Sequence, residues 1–333
     1  MKSLQSKILI LVILLSFACT NKAIGQEPDE TPVKIDTVLI NVPLIVSDKD
    51  GRNIVGLKKE NFSIFQQGEK QTIEFFADVE EPMNVAIIID TSGSTGGVLR
   101  SIKKSAKEFL LTFRPEDKGM VISFDDEIHI LGKLTSDKGK LKDAINEAST
   151  ISQGVWDVPK TRTAMFDAIY QVVAKDFVEI KGKKAIILLT DSFEGGNKIS
   201  LGKMLDVLTE ADSLVFPIIY QTYNLSHFFP KNTKTVTLAD LLSLPMYYKV
   251  REFAELTGGR VYSADADDFN TAFKSISDQL TKQYLIGFYP TKLDGGKSAS
   301  IKIEVDRKDA IVRSKRTIRL KTPDAKNKEK TAH

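Results

Sequence analysis

Cysteine is almost missing from this chain: Cys19 is the only one in 333 residues, so the folded part has no internal disulfide and must rely on a buried core. Histidine is nearly as scarce. His129, His227 and His333 are scattered, with no cysteine to join them, which leaves zinc without a ligand set and gives no histidine a catalytic role. An excess of one charge is lacking too. The chain has 47 basic and 44 acidic residues, and setting aside residues 1–25, which hold Lys2, Lys7 and Lys22 but no acid, brings both totals to 44. A balance near zero gives no electrostatic case for nucleic acid. Beyond residue 25 no run reaches about 18 uninterrupted apolar residues, so no later spanning helix is expected.

What is present begins with a leader. Lys2 and Lys7 precede an apolar stretch over 8–18, too short to span a bilayer comfortably but suited to a secretory signal, so export from the cytoplasm is expected. Two cleavage readings stand side by side. Cys19 ends the apolar run where a lipoprotein carries its lipidated cysteine, and Ala23-Ile24-Gly25 offers the small residues that ordinary signal peptidase prefers. A lipid on Cys19 would be the chain's one membrane attachment.

Composition is otherwise that of an ordinary globular protein, and the length suits two domains. Polar, proline-containing residues 26–34 read as a linker. Val38, Ile40, Val42, Leu44 and Val46 then alternate as in a half-buried strand closed by the turn Asp48-Lys49-Asp50-Gly51. From Val85 the pattern changes to strands alternating with helices: strands at 85–89, 120–124, 185–190, 214–220 and 260–262, and helices at 138–148, 163–177, 201–211, 249–257 and 267–282. Another helix follows Gly97. Ile301, Ile303 and Val305 return to strand alternation. The antiparallel pieces on either side are each too small for a core, which implies one discontinuous β-sandwich. The expected organisation is a signal peptide at 1–25, a linker at 26–34, an N-terminal sandwich segment at 35–82, an α/β domain at 83–284, a C-terminal sandwich segment at 285–320 and a disordered tail at 321–333.

The candidate chemistry lies at strand ends. Val85-Ala86-Ile87-Ile88-Ile89 has no polar alternation, as in a strand covered on both faces, and it runs straight into Asp90-Thr91-Ser92-Gly93-Ser94. Ligands of parallel sheets gather beyond the carboxyl ends of strands, and one carboxylate with two hydroxyls there suits a divalent cation. Thr163 opens a predicted helix, and Ile186-Ile187-Leu188-Leu189-Thr190 is a second buried run that ends in Asp191. The competing reading of Asp90, Ser92, Ser94 and Thr163 is helix capping. Asp167 belongs to a first helical turn, where an acid favours the helix dipole, and is left out of the site.

Together these segments resemble a von Willebrand factor A (VWA) domain. Its metal ion-dependent adhesion site (MIDAS) places D-x-S-x-S on one loop, a Thr on a second and an Asp on a third, matched in order by Asp90, Ser92, Ser94, Thr163 and Asp191. The flanks are similar to the VWFA-related acidobacterial-type family through Val46-Ser47-Asp48-Lys49-Asp50-Gly51, Lys59-Glu60-Asn61-Phe62, Thr257-Gly258-Gly259-Arg260 and Gln283-Tyr284-Leu285-Ile286-Gly287-Phe288-Tyr289-Pro290. This chain carries Pro159-Lys160-Thr161-Arg162 and Ser192 where the family usually has glycine.

The resemblance implies an α/β fold, a Rossmann-like, doubly wound, mostly parallel sheet flanked by the discontinuous sandwich. It also implies Mg²⁺, with Mn²⁺ as the alternative, held incompletely so that a partner protein's Asp or Glu carboxylate completes the shell. The chain then reads as an exported binding module and not an enzyme, with a structural module fixed by its ion as the alternative. Two enzymatic readings are weakened by residue type, a Mg²⁺-dependent phosphatase-like enzyme remaining as the lesser alternative. An aspartic protease needs a second Asp-Thr-Gly turn, which Asp191-Ser192-Phe193 is not, and a Mg²⁺-dependent phosphatase of the haloacid dehalogenase kind needs an acid where Ser92 stands. Trp156 and an insertion over 221–248 that holds Tyr223, His227, Phe228, Phe229, Met246 and Tyr247 are candidates for partner contacts, with packing of these aromatics onto their own domain as the alternative.

Overall fold

Alternation and continuous burial sort the strands into two assemblies. The computed structural model describes residues 39–78, 81–150, 163–191, 197–220, 238–264, 268–291 and 297–319; the expected signal peptide, linker, Cys19 and tail lie outside them. The chain opens with β1 (Ile40–Ser47), β2 (Phe62–Gln66), β3 (Glu69–Gln71) and β4 (Phe75–Ala77). The α/β region follows as β5 (Met83–Asp90), α1 (Leu99–Phe109), β6 (Lys118–Phe124), β7 (Ile128–Thr135), α2 (Lys138–Glu147), α3 (Met165–Gln171), β8 (Lys183–Thr190), α4 (Leu201–Glu210), β9 (Ser213–Tyr220), α5 (Leu238–Thr257), β10 (Tyr262–Ala264) and α6 (Asn270–Leu280). It closes with β11 (Gln283–Phe288), β12 (Ser298–Val305), β13 (Ile311–Ser314) and β14 (Thr317–Arg319).

The central sheet has the order β10-β9-β8-β5-β6-β7, parallel throughout except for β7, which pairs antiparallel with β6 at one edge. Successive residues of β5 serve opposite layers. Val85, Ile87 and Ile89 pack with α1, α2 and α6, whereas Ala86 and Ile88 pack with α3, α4 and α5. Every residue of β5 and β8 is therefore buried, and the doubly wound fold expected from the sequence is what the chain forms.

First and last strands of the chain complete one another. One antiparallel sheet runs β13-β1-β11-β4 and the other β14-β12-β2-β3, and a single core of Val42, Leu44, Phe62, Ile64, Ile286, Ile301 and Ile303 lies between them. Gln283 and Tyr284 already pair with Ile45 and Leu44, so β11 belongs to this sandwich from its first residue. The Asp48 turn is a hairpin feature. Its carboxylate accepts the amides of Asp50 and Arg52, both at 2.9 Å, and Gly51 takes φ 81°.

Three local expectations change. β7 has no counterpart in the predicted elements; its residues are only half-buried or exposed at the sheet edge, so the apolar signal is weak there. β8 starts at Lys183, two residues before the predicted Ala185, because both lysines are buried and Lys184 donates to the carbonyls of Phe177 and Ile180 and pairs with Asp212. α5 starts at Leu238, so the later stretch of the expected insertion is helical and Pro245 sits within it. Among the described residues no helix is long and apolar enough to cross a membrane.

The Thr257-Gly258-Gly259 segment shows why glycine is needed where α5 meets the sheet. Thr257 Oγ1 accepts the Val215 amide at 3.0 Å, Gly258 takes φ 85°, and a Cβ on Gly259 would overlap the Val215 carbonyl oxygen. Lys315, from the segment between β13 and β14, donates to the Thr209 and Ala211 carbonyls at the end of α4 and so ties the sandwich to the α/β layer.

Candidate metal centre

β5 and β8 are adjacent and in register from Met83↔Lys183 to Ile89↔Leu189, so Asp90 and Asp191 emerge at the same sheet end. Hydrogen bonds then join four of the five expected residues. Asp90 Oδ1 accepts the Ser92 hydroxyl at 2.6 Å and the Ser92 amide at 3.0 Å. The Ser92 and Ser94 hydroxyls lie 3.0 Å apart, and Ser94 donates to Asp191 Oδ2 at 2.6 Å. Two carboxylates on separate strands are thereby bridged by two hydroxyls.

Neither serine caps a helix with its side chain. The short 3₁₀ turn Gly93–Gly97 and α1 both start without a side-chain cap bond, which separates the observed arrangement from the capping alternative. Thr163 stands apart from the hydrogen-bonded chain. It is buried just before α3, also without a cap bond, and the Ala164 amide donates to the Asp125 carbonyl at 2.7 Å. Among the described residues no hydrogen bond links Thr163 to the other four.

Asp90 is fully buried, and its partners are hydroxyls and an amide, Thr190 Oγ1 being the third at 3.2 Å. Burial first, and then the charge of Asp191, push its carboxyl up to about 7. The charge of Asp191 thus disfavours that of Asp90, a situation that a cation would relieve. The donors are all hard oxygens, which suit Mg²⁺ or Mn²⁺ better than a soft metal. Only two of them are carboxylates, and among the described residues no group of three or more His, Cys, Asp or Glu gathers.

Several supporting residues have no metal-site signature in sequence. Thr91 donates from its amide and hydroxyl to the Phe124 carbonyl, which pins the first loop to β6. Asp167 stands in the first turn of α3, as expected of a helix-dipole acid, and it also accepts the amides of Lys198 and Ile199 at 2.9 and 2.8 Å. Asn197 Oδ1 accepts the Phe166 amide at 2.8 Å. The segment after the third loop is thus clamped to the helix that follows Thr163. Only the order Asp-then-apolar-helix hinted at Asp167, and long-range pairing is what assigns it. Trp156, Pro159, Lys160, Thr161, Arg162 and Ser192 lie outside the described residues, as do Tyr223, His227, Phe228 and Phe229.

Several solved structures are similar to this chain at low identity. Proximal thread matrix protein 1 of the mussel byssus, in a form with a zinc-occupied MIDAS motif, is 15% identical over 65% of this chain and 49% of that one, with a TM-score of 0.47. A von Willebrand factor type A protein from Catenulispora acidiphila is 12% identical over 80% and 75%, with a TM-score of 0.46. The vWF domain of a type V pili tip protein from Porphyromonas gingivalis is 12% identical over 59% and 94%, with a TM-score of 0.43. This chain spans about half the length of the mussel protein. No curated protein matches. The model of the von Willebrand factor type A domain matches residues 85–194, a stretch that runs from β5 through all three site-bearing loops.

Proposed function

We propose that this protein is an exported binding module in which Asp90, Ser92, Ser94, Thr163 and Asp191 hold Mg²⁺ for the capture of a partner protein's Asp or Glu side chain. The observation that carries the reading is the Asp90–Ser92–Ser94–Asp191 hydrogen-bonded chain, which joins two acids from neighbouring strands through neutral hydroxyls. The match of residues 85–194 to the VWA family supports it. The ion's share of the chemistry is a positive charge left partly uncompensated, available to an incoming carboxylate.

The protein's own residues do the rest. Asp90 and Asp191 supply the anionic oxygens, Ser92 and Ser94 separate them and hold their orientation, and Thr91 and Asp167 anchor the loops from behind. Desolvating a carboxylate at such a site is favourable only when geometry is good, so the contact selects its partner. Mn²⁺ has the same ligand preferences and is the alternative ion. Export rests on the leader at 1–25, with Cys19 as the lipid attachment if lipoprotein processing applies, and the flanking segments resemble the VWFA-related acidobacterial-type family. No catalytic role is assigned.

The test is capture of partners from an envelope extract by the purified protein in Mg²⁺ and in chelator. Capture is expected in Mg²⁺ only and is expected to vanish in folded Asp90→Ala. Capture indifferent to both would refute the reading. If chelator lowers the melting temperature while capture persists, the ion is a structural fixture, and turnover of a phosphate ester in Mg²⁺ would reassign the protein as an enzyme.

A further inference from the structure

β9 ends on Tyr220, a residue 1% exposed whose hydroxyl has no hydrogen-bond partner among the described residues. Buried hydroxyls are normally paired, because an unpaired one loses its hydration with nothing to offset the loss. Its position in the sheet suggests what the hydroxyl awaits. The β8–β9 ladder pairs Leu189 with Ile218 and Thr190 with Ile219, so the next residues, Asp191 and Tyr220, leave the two strands side by side. Because side chains alternate, Tyr220 shares the face of Ile218, Leu189 and Ile89, and all four pack in one core layer. Phe269 stacks edge-on against the ring at 5.3 Å and holds it in place.

Electrostatics give the hydroxyl its character. Burial, then the charges of Asp90 and Asp191, raise its proton affinity well above that of an ordinary phenol, so it remains a neutral donor beside the two acids.

We infer that Tyr220 is a positioning residue of the cation site, its hydroxyl donating to an oxygen of the ion's shell once the ion is held. The inference rests on the proposed Mg²⁺ site. It accounts for a polar atom that has no partner among the described residues, and it adds a ligand-orienting group from a further strand end, that of β9, beyond the three expected loops.

Tyr220→Phe keeps the ring and removes only the hydroxyl, and two readouts move in opposite senses. Calorimetric titration with MgCl₂ is expected to show affinity about three- to tenfold weaker than wild type, the worth of one hydrogen bond. The melting temperature in chelator is expected to match or exceed that of wild type, because an unpaired hydroxyl is gone. A lower melting temperature in chelator with unchanged Mg²⁺ affinity would mean a packing role only and would overturn the inference. If wild type takes up no Mg²⁺, the proposed function falls with it; if wild type binds and the variant binds equally, only the role of Tyr220 falls. Should the variant fail to fold, wild type alone decides, since Mg²⁺ must then perturb tyrosine ultraviolet absorption and an unchanged spectrum at saturation overturns the claim.

Discussion

Strands β5 and β12 both have eight residues and bury them in opposite ways. All of β5 is buried, while β12 alternates exposed and buried positions along almost its whole length. Helices cover both faces of β5, so its end is a place where a carboxylate leaves the core under low solvation; β12 lies in a two-sheet sandwich with one face in water. Continuous burial therefore does more than stabilise β5. It creates the desolvated ground on which Asp90 stands.

The largest expected effect tests that contrast directly. Ile87→Ala and Ile88→Ala face opposite layers, yet each should cost about 2–5 kcal/mol in urea unfolding because both faces are packed. A silent substitution at either position would break the comparison.

Next in size is a dependence on pH in chelator. Asp90 is held up to about 7 against an ordinary 3.8, so between these values the folded chain keeps a proton that the unfolded chain has released. Stability of the ion-free protein should therefore fall as pH rises from about 4 to about 7, and saturating Mg²⁺ should reverse the loss. Asp117 acts below that window, because hydrogen bonds from Arg114 and the Met83 amide outweigh its burial and hold it low. Lys183 and Lys315, lowered to about 8 by burial, act above it. Melting curves of Asp90→Asn should be flatter across the window, and identical slopes in both proteins would remove Asp90 as their source.

Asp167→Ala should cost about 1–3 kcal/mol, since it strips the Lys198 and Ile199 amides of their acceptor. Weaker Mg²⁺ binding should accompany that loss, as the clamp between the second and third loops opens; full affinity in the variant would show that the clamp serves stability alone. The smallest effect belongs to the sandwich. Lys302→Ala, beside buried Ile303, should stay within about 0.5 kcal/mol of wild type by urea unfolding, which a larger shift would contradict.

Residue pattern made much of this architecture legible. Val85 to Ile89 and Ile186 to Leu189 announce buried parallel strands because nothing polar interrupts them. Asp90, Ser92, Ser94, Thr163 and Asp191 could be named together because their order resembles the VWA motif, and the strand ends that carry Asp90 and Asp191 are neighbours in the sheet. Less legible were elements whose polarity is resolved at a distance: Lys184 enters β8 because Phe177, Ile180 and Asp212 receive its ammonium, and β7 pairs at an edge where half its surface stays wet. Tyr220 carried no signal at all, since a tyrosine closing an apolar strand is ordinary until its neighbours are known.

By itself the sequence determined the two kinds of strand, the order of the elements apart from β7, and the acids and hydroxyls at the carboxyl ends, because periodicity and residue type are local properties. Only the tertiary structure decided that Asp90 and Asp191 share one part-buried hydrogen-bonded chain, that Asp167 clamps two loops, and that the Tyr220 hydroxyl at the next strand end has no partner among the described residues. Those facts depend on strand register and burial across residues 130 positions apart from Asp90 to Tyr220, and charge and solvation are set by whatever the fold brings near.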